Sequence, residues 1–317
     1  MDQLAPCSID SLKQAAKHLK NGALVAFPTE TVYGLGVDAE NESAVARMYQ
    51  VKGRPANHPV IVHISNQNQV EYWAQDIPVY AIALMRKFWP GPMTLILKRS
   101  TRAKDFVTGG QDYVGLRIPS NPIALKLLSE FEALGGHGVA APSANRFGSV
   151  SPTSASDVKD EIGDLLGAED LILDGGACEV GVESTIIDCS RELPRILRLG
   201  AVTEAMIEEI KEIDSDSDLE EIRVSGSLTR HYSPRAKVII NRTANPGEGL
   251  IALSEVATPE GVIRLSSPNS IEDYARSLYS SLRKGDSQGL PVIVVISPSG
   301  DGLAAAIRDR INRASAH

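Results

Sequence analysis

The chain reads as α/β: a large twisted mixed sheet with helices, followed by a small βαβ-type domain. Three observations predict this. Short apolar runs of strand composition recur along the first two hundred residues, with helix-spaced patterns between several of them. A polar, acidic stretch at 214–234 then breaks the alternation. Beyond it, apolar runs of buried-strand type and two helical patterns begin again.

Leu12, Ala15, Ala16 and Leu19 make the first helical stripe, and Asn21-Gly22 ends it, the glycine suiting a C-terminal cap. Strands are expected at 23–27, 60–64, 94–97, 114–118, 139–141, 171–173, 185–187 and 195–199, and helices at 43–51, 79–88, 122–131 and 154–162. The runs near 171, 185 and 195 have no helix between them, which predicts antiparallel pairing in that part of the sheet. In the C-terminal part, strands are expected at 238–240, 250–253, 262–265 and 292–296. Ile271, Tyr274, Ala275, Leu278, Tyr279 and Leu282 fall at helical spacing behind Ser270 as N-cap, and a last helix spans about 302–314. The domain division is therefore 1–213, 214–234 and 235–317.

Composition limits the function. With 317 residues, 43% hydrophobic and 23% charged, the chain suits a globular protein of two domains. No apolar run approaches the ~20 residues that span a bilayer, and the N-terminus lacks a signal pattern, so a cytoplasmic protein is expected. The 3 cysteines (Cys7, Cys178, Cys189) show no CxxC spacing and read as reduced thiols. A net charge of −8 and only 5% aromatic residues argue against a broad nucleic-acid-binding face.

Against that acidic background stand three stretches without carboxylates: 43–70, 114–129 and 133–156. They carry Lys52, Arg54, His58 and His63, then Arg117, then the run Pro142-Ser143-Ala144-Asn145. Cations, hydroxyls and glycines gathered in this way point to a focused positive site for a small ligand rich in phosphate. Taken singly, each motif has a plainer reading. PTETVYGLG (28–36) also suits a strand-to-turn, KGRP a solvated turn, Ser143-Ala144-Asn145 a helix cap, and His63 a satisfied core histidine. Phe88-Trp89-Pro90 reads as core.

Jointly, and in this order, the motifs PTETVYGLG, KGRPANHPVIVH (52–63), FWPGPMTLIL (88–97), VGLRIP (114–119), APSANRFGSVSPT (141–153), GVESTIID (181–188) and ILRLG (196–200) resemble the threonylcarbamoyl-AMP synthase family in its two-domain form. RHYSP (230–234) resembles the segment joining the two domains there. The resemblance implies a YrdC-like α/β domain plus a small Rossmann-like domain. It implies a nucleotidyltransferase that forms threonylcarbamoyl-AMP and pyrophosphate from L-threonine, bicarbonate or carbon dioxide, and ATP with Mg2+. Other proteins then pass the threonylcarbamoyl group to tRNA beside the anticodon. By motif position, Thr31, His63, Arg117, the Ala141 backbone and Ser184 would contact threonine. Lys52, Arg54, His58, Tyr113, Ser143, Asn145, Ser151 and Arg198 would form the nucleotide site, with Tyr232 reaching it from the linker. Lys52 and Arg54 would stabilise phosphate charge, no nucleophile would be needed, and Mg2+ would be held mainly through ATP. The family often has threonine where this chain has Tyr113. The 214–234 segment is expected to act as a lid, with Gly226 supplying backbone freedom.

Two other readings remain in view. One is a non-catalytic RNA- or ribosome-binding module, in which a concave basic face grips a phosphate backbone. The other is carbamoyl transfer in hydrogenase maturation, whose larger architecture carries zinc-finger cysteine pairs absent from this chain.

Overall fold

The first helix forms where the stripe predicts it, over Ile9–Lys20, with Ser8 capping its N-terminus and Leu12, Ala15, Ala16 and Leu19 buried. Gly22 comes next at φ 86°, the left-handed conformation that a glycine reaches without strain. The structure is a computed structural model and describes residues 4–214, 222–224, 226 and 232–316.

The large sheet contains β1 (Leu4–Pro6), β2 (Val25–Phe27), β3 (Gly34–Asp38), β4 (Ile61–His63), β5 (Met93–Lys98), β6 (Tyr113–Arg117), β7 (Val139–Ala140), β8 (Leu171–Asp174), β9 (Thr185–Asp188) and β10 (Arg195–Arg198). Their spatial order is β1-β8-β2-β3-β7-β4-β6-β5-β9-β10. Four pairs are parallel (β1/β8, β8/β2, β4/β6, β5/β9) and the others antiparallel. The mixed α/β class is as expected, but one pairing is not. β9 and β10 pair antiparallel, whereas β8 lies at the far side of the sheet between β1 and β2, parallel to both. Proximity in sequence misled here because the loop of 175–184 crosses the sheet instead of turning tightly. β1 and β3 were not anticipated as strands. β1 is three residues long at a chain end, and β3 (GLGVD) carries two glycines, poor strand formers that pack between neighbours.

Helices Ile9–Lys20 and Pro122–Ala133 pack together over one face of the sheet. The larger core, including Met48, Trp73, Leu84 and Trp89, lies on the other. The Trp89 indole donates to the Met93 carbonyl at 2.7 Å; of the expected 88–90 core cluster, Trp89 is buried and Phe88 packs against the core, whereas Pro90 is exposed.

The second sheet is wholly parallel, in the order β11 (Lys237–Ile240), β14 (Val292–Val295), β12 (Gly249–Ile251), β13 (Ile263–Ser266). Helices Ile271–Ser287 and Leu303–Ser315 pack against it. Their shared core also takes in Val32, Val150, Val182 and Tyr232, so the two sheets' units are joined by apolar burial.

Candidate active site

Strand pairing creates the first half of the site. β4 and β6 run parallel with His63 opposite Arg117, so the two side chains leave the sheet on the same face at the same level. The PTETVYGLG segment lies beside them and is laced to the APSAN turn: Leu35 N–H donates to Pro142 O at 2.8 Å and Ala144 N–H to Tyr33 O at 2.8 Å. The cleft thus formed is open to solvent on one side and spans about 540 Å3 including its mouth. Thr31, His63, Arg117, Ala141 and Ser184 lie along it, together with Arg54, Ser143, Arg198 and Tyr232.

Arg117 is 4% exposed, and its Nη2 donates to Glu30 Oε1 at 2.7 Å and to Thr31 Oγ1 at 2.9 Å, while Nε is buried without a partner. Glu30 Oε2 accepts the Ser120 backbone N–H at 3.0 Å. Burial, then the Arg117 charge, pushes the His63 imidazole down to about 3, so it is neutral at physiological pH. Its Nδ1 has no hydrogen-bond partner. The Ala141 N–H already donates to Ile61 O at 3.0 Å. Ser184 Oγ lies 2.8 Å from Thr94 Oγ1 and accepts from Arg198 Nη2 at 3.0 Å.

The cationic end is held by its own loops. Arg54 donates to Pro59 O at 2.8 Å and lies over the Tyr49 and Phe147 rings. Arg198 donates to Ser184 O at 3.0 Å. Tyr232 is 1% exposed and closes the cleft from the linker side. Gly226 lies beside it at φ 80°, where a Cβ would stand 2.4 Å from the Tyr232 hydroxyl and 3.2 Å from Arg198 Nη1. Arg230 and His231 of the RHYSP cluster fall outside the described residues.

The remaining expected residues do not line this cleft. The Lys52 ammonium donates to Ser143 O at 2.5 Å and to Asn145 O, bracing the APSAN turn from behind, and burial, then Arg54, pulls it well below the usual lysine range. Asn145 Nδ2 closes the same turn onto Arg146 O and Ser149 O, and its Oδ1 is buried without a partner. Ser151 Oγ donates to Glu183 Oε1 at 2.6 Å. His58 packs edge-on to Phe147 at 5.4 Å. Tyr113 lines an adjoining slot of about 300 Å3 with Ile96, Gly115, Ile186, Ile222 and Val224, and Ile61 lines both spaces.

Sequence reasoning missed Glu30 and Glu183. The three carboxylate-free stretches pointed to a focused positive site; the structure adds Glu30, paired with Arg117 at the cleft wall, and Glu183, which lines the cleft near Arg198. The available signal was an acid inside two largely apolar or hydroxyl motifs, Glu30 in PTETVYGLG and Glu183, alongside the terminal Asp188, in GVESTIID, where a buried charge is tolerated only with a partner.

The family model described as "Telomere recombination" matches residues 17–200, and that described as "Threonylcarbamoyl-AMP synthase, C-terminal domain" matches 202–316. A threonylcarbamoyl-AMP synthase of Pyrococcus abyssi is 38% identical, over 96% of this chain and 94% of the relative. The chain belongs to the threonylcarbamoyl-AMP synthase family. One from Bacillus subtilis is 36% identical over 96% of this chain and 92% of its own length. The crystal structure of P. abyssi Sua5 complexed with L-threonine superposes with a TM-score of 0.88 at 35% identity, covering 98% of this chain and 97% of that one. Membership of this family makes the chain an enzyme of the nucleotidyl-transferring kind. Among the described residues, no helix is long and apolar enough to cross a membrane.

Proposed function

We propose that this chain forms threonylcarbamoyl-AMP and pyrophosphate from L-threonine, bicarbonate or carbon dioxide, and ATP carrying Mg2+ on its phosphates. One observation carries the reading: a single cleft has Arg117, Thr31 and a neutral His63 at one end and Arg54 and Arg198 at the other. The first end suits an amino acid. A guanidinium receives its carboxylate, and an uncharged imidazole adds no second cation beside its amine. The second end suits a polyphosphate. The base is assigned to the slot beside Tyr113, next to the polyphosphate end, with Ser143, Asn145, Ser151 and Lys52 shaping the segment between. That the P. abyssi relative is complexed with L-threonine supports threonine as the amino acid substrate.

The chemistry then asks for alignment. The threonine amine attacks carbon dioxide and loses a proton, giving a carbamate. A carbamate oxygen attacks the α-phosphorus and pyrophosphate leaves. No protein nucleophile enters either step, and the site's share is proximity and charge stabilisation. Tyr232 and Gly226 close the cleft as part of a lid, which shields a hydrolysable product from water. The product passes to threonylcarbamoyl-transfer proteins acting on tRNA in the cytoplasm, and the synthase itself requires no stable nucleic-acid binding.

The test is to supply labelled ATP, threonine and bicarbonate and to measure pyrophosphate and the adenylate. Release should require threonine and bicarbonate together, and vigorous release with ATP alone would refute the order of steps. Serine should react weakly, since one methyl in a pocket is worth about 1–3 kcal/mol.

A further inference from the structure

Helix Leu303–Ser315 buries an apolar face of Ala304, Ile307, Ile311 and Ala314, and in the middle of that face lies Arg310, fully buried. Its guanidinium reaches out of the C-terminal domain. Nε donates to Glu183 Oε2 at 2.9 Å, Nη2 to Leu199 O at 2.8 Å and Nη1 to Asp309 at 2.6 Å, and the group lies 5.4 Å from the Tyr232 ring centroid. Tyr279, from helix Ile271–Ser287, donates its hydroxyl to the same Glu183 oxygen at 2.8 Å and stacks its ring on Tyr232 at 5.5 Å. The other Glu183 oxygen receives Ser151. Although burial alone raises the Glu183 carboxyl, Arg310 and then Arg198 bring it down to about 2, so it is ionised throughout the physiological range.

We propose that Glu183, Tyr279 and Arg310 form a latch through which the C-terminal domain sets the geometry of the nucleotide site. Docking of two helices needs no buried charge, because apolar side chains of similar volume hold such an interface as well or better. A guanidinium at 310 adds orientation. One group fixes Glu183, the Leu199 carbonyl next to Arg198, and the ring of Tyr232. Through Glu183 it also fixes Ser151. Of these neighbours, Glu183 and Tyr232 line the cleft together with Arg198, while Ser151 and Leu199 stand behind them. Coupling of this kind is reciprocal: if the docked domain favours ATP, ATP favours docking by the same factor. Glu183, Tyr279 and Arg310 are positioning residues on this account, and the C-terminal domain is a working part of the site.

The inference rests on the cleft being the ATP site, and the experiment separates the two claims. Binding of ATP with Mg2+ and of threonine is measured by titration on the full chain and on two variants. Tyr279→Phe keeps the ring and removes one donor. Arg310→Met keeps the volume and removes the charge. Amide hydrogen exchange in Leu303–Ser315 is followed with and without ATP. ATP affinity should fall roughly 5–150-fold in the variants, the usual range of such coupling, with threonine affinity unchanged. ATP should slow exchange in the final helix of the unaltered chain and slow it less in Tyr279→Phe. Variants that bind ATP as the unaltered chain does, or lose both ligands equally, overturn the latch. Failure of the unaltered chain to bind ATP overturns the site assignment and the latch with it.

Discussion

Replacing Arg117 with alanine should have two separable consequences, because Arg117 serves Glu30 as well as the cleft. Glu30 is 2% exposed, and among the described residues its carboxylate keeps only the Ser120 N–H once the 2.7 Å ion pair is gone. Breaking a buried pair on one side costs about 3–5 kcal/mol. At about 2–4 °C per kcal/mol for a large domain, the melting temperature should drop by roughly 6–20 °C. Adding Glu30→Gln removes the stranded charge while an amide oxygen still accepts from Ser120, so the double variant should recover a good part of that loss. Threonine binding should not recover. A hydrogen bond to a charged group is worth about 1.5–3 kcal/mol, so affinity should fall roughly 10–150-fold in both variants. Thermal denaturation and titration calorimetry read the two effects independently, as a double-mutant cycle requires. If Glu30→Gln restores no stability, the pair is not what Arg117 contributes to the fold. If it restores threonine affinity, the guanidinium is not the carboxylate receptor.

The same geometry sets three other outcomes. Gly226→Ala puts a Cβ 2.4 Å from the Tyr232 hydroxyl at a left-handed φ, so it should raise the KM for ATP sharply while the melting temperature barely moves, steady-state kinetics being the measure. Arg54→Ala should weaken ATP and spare threonine, whereas Lys52→Ala frees two carbonyls of the APSAN turn and should lower stability along with ATP use; titration and melting curves on both variants distinguish them. His63 is depressed from 6.5 to about 3 in the folded state, so the unfolded chain binds the extra proton. Its contribution is therefore complete above pH 6.5 and is lost as pH falls toward 3, and urea midpoints at pH 7 and 5 should differ less in His63→Gln than in the unaltered chain.

Most strands and helices were legible because their burial is one-sided or complete, and that is what periodicity reports. The Ile9–Lys20 stripe and the run at 271–282 are examples. What escaped was set by contacts between distant segments. β3 contains Gly34 and Gly36, and a Cβ on Gly36 would meet both Phe27 and Val139 at 2.8 Å, so its identity as a strand depends on partners that a local window cannot see. The partition of β8 from β9 failed for the same reason. The linker's role was half visible: Tyr232 lies at the cleft, while 215–221, 225 and 227–231 fall outside the described residues.

The charges hold the sharper lesson. The stretches free of acids pointed to a focused positive site, yet Arg117 and Arg198 stand close to Glu30 and Glu183. An empty cleft of three buried guanidinium groups would repel itself and scatter its side chains. Glu30 takes one donor from Arg117 and leaves Nε unpartnered, so the group is already oriented when a carboxylate arrives. Glu183, fixed by Ser151, Tyr279 and Arg310, supplies negative charge near Arg198. The cleft lining itself sets Arg54, Arg117 and Arg198 against Glu183, so it remains positive. That residue of charge favours an anion, and the acids keep the arginines in place, so reorganisation on binding is small. The carboxylates that appeared to contradict a phosphate site are what allow it to exist before its ligand does.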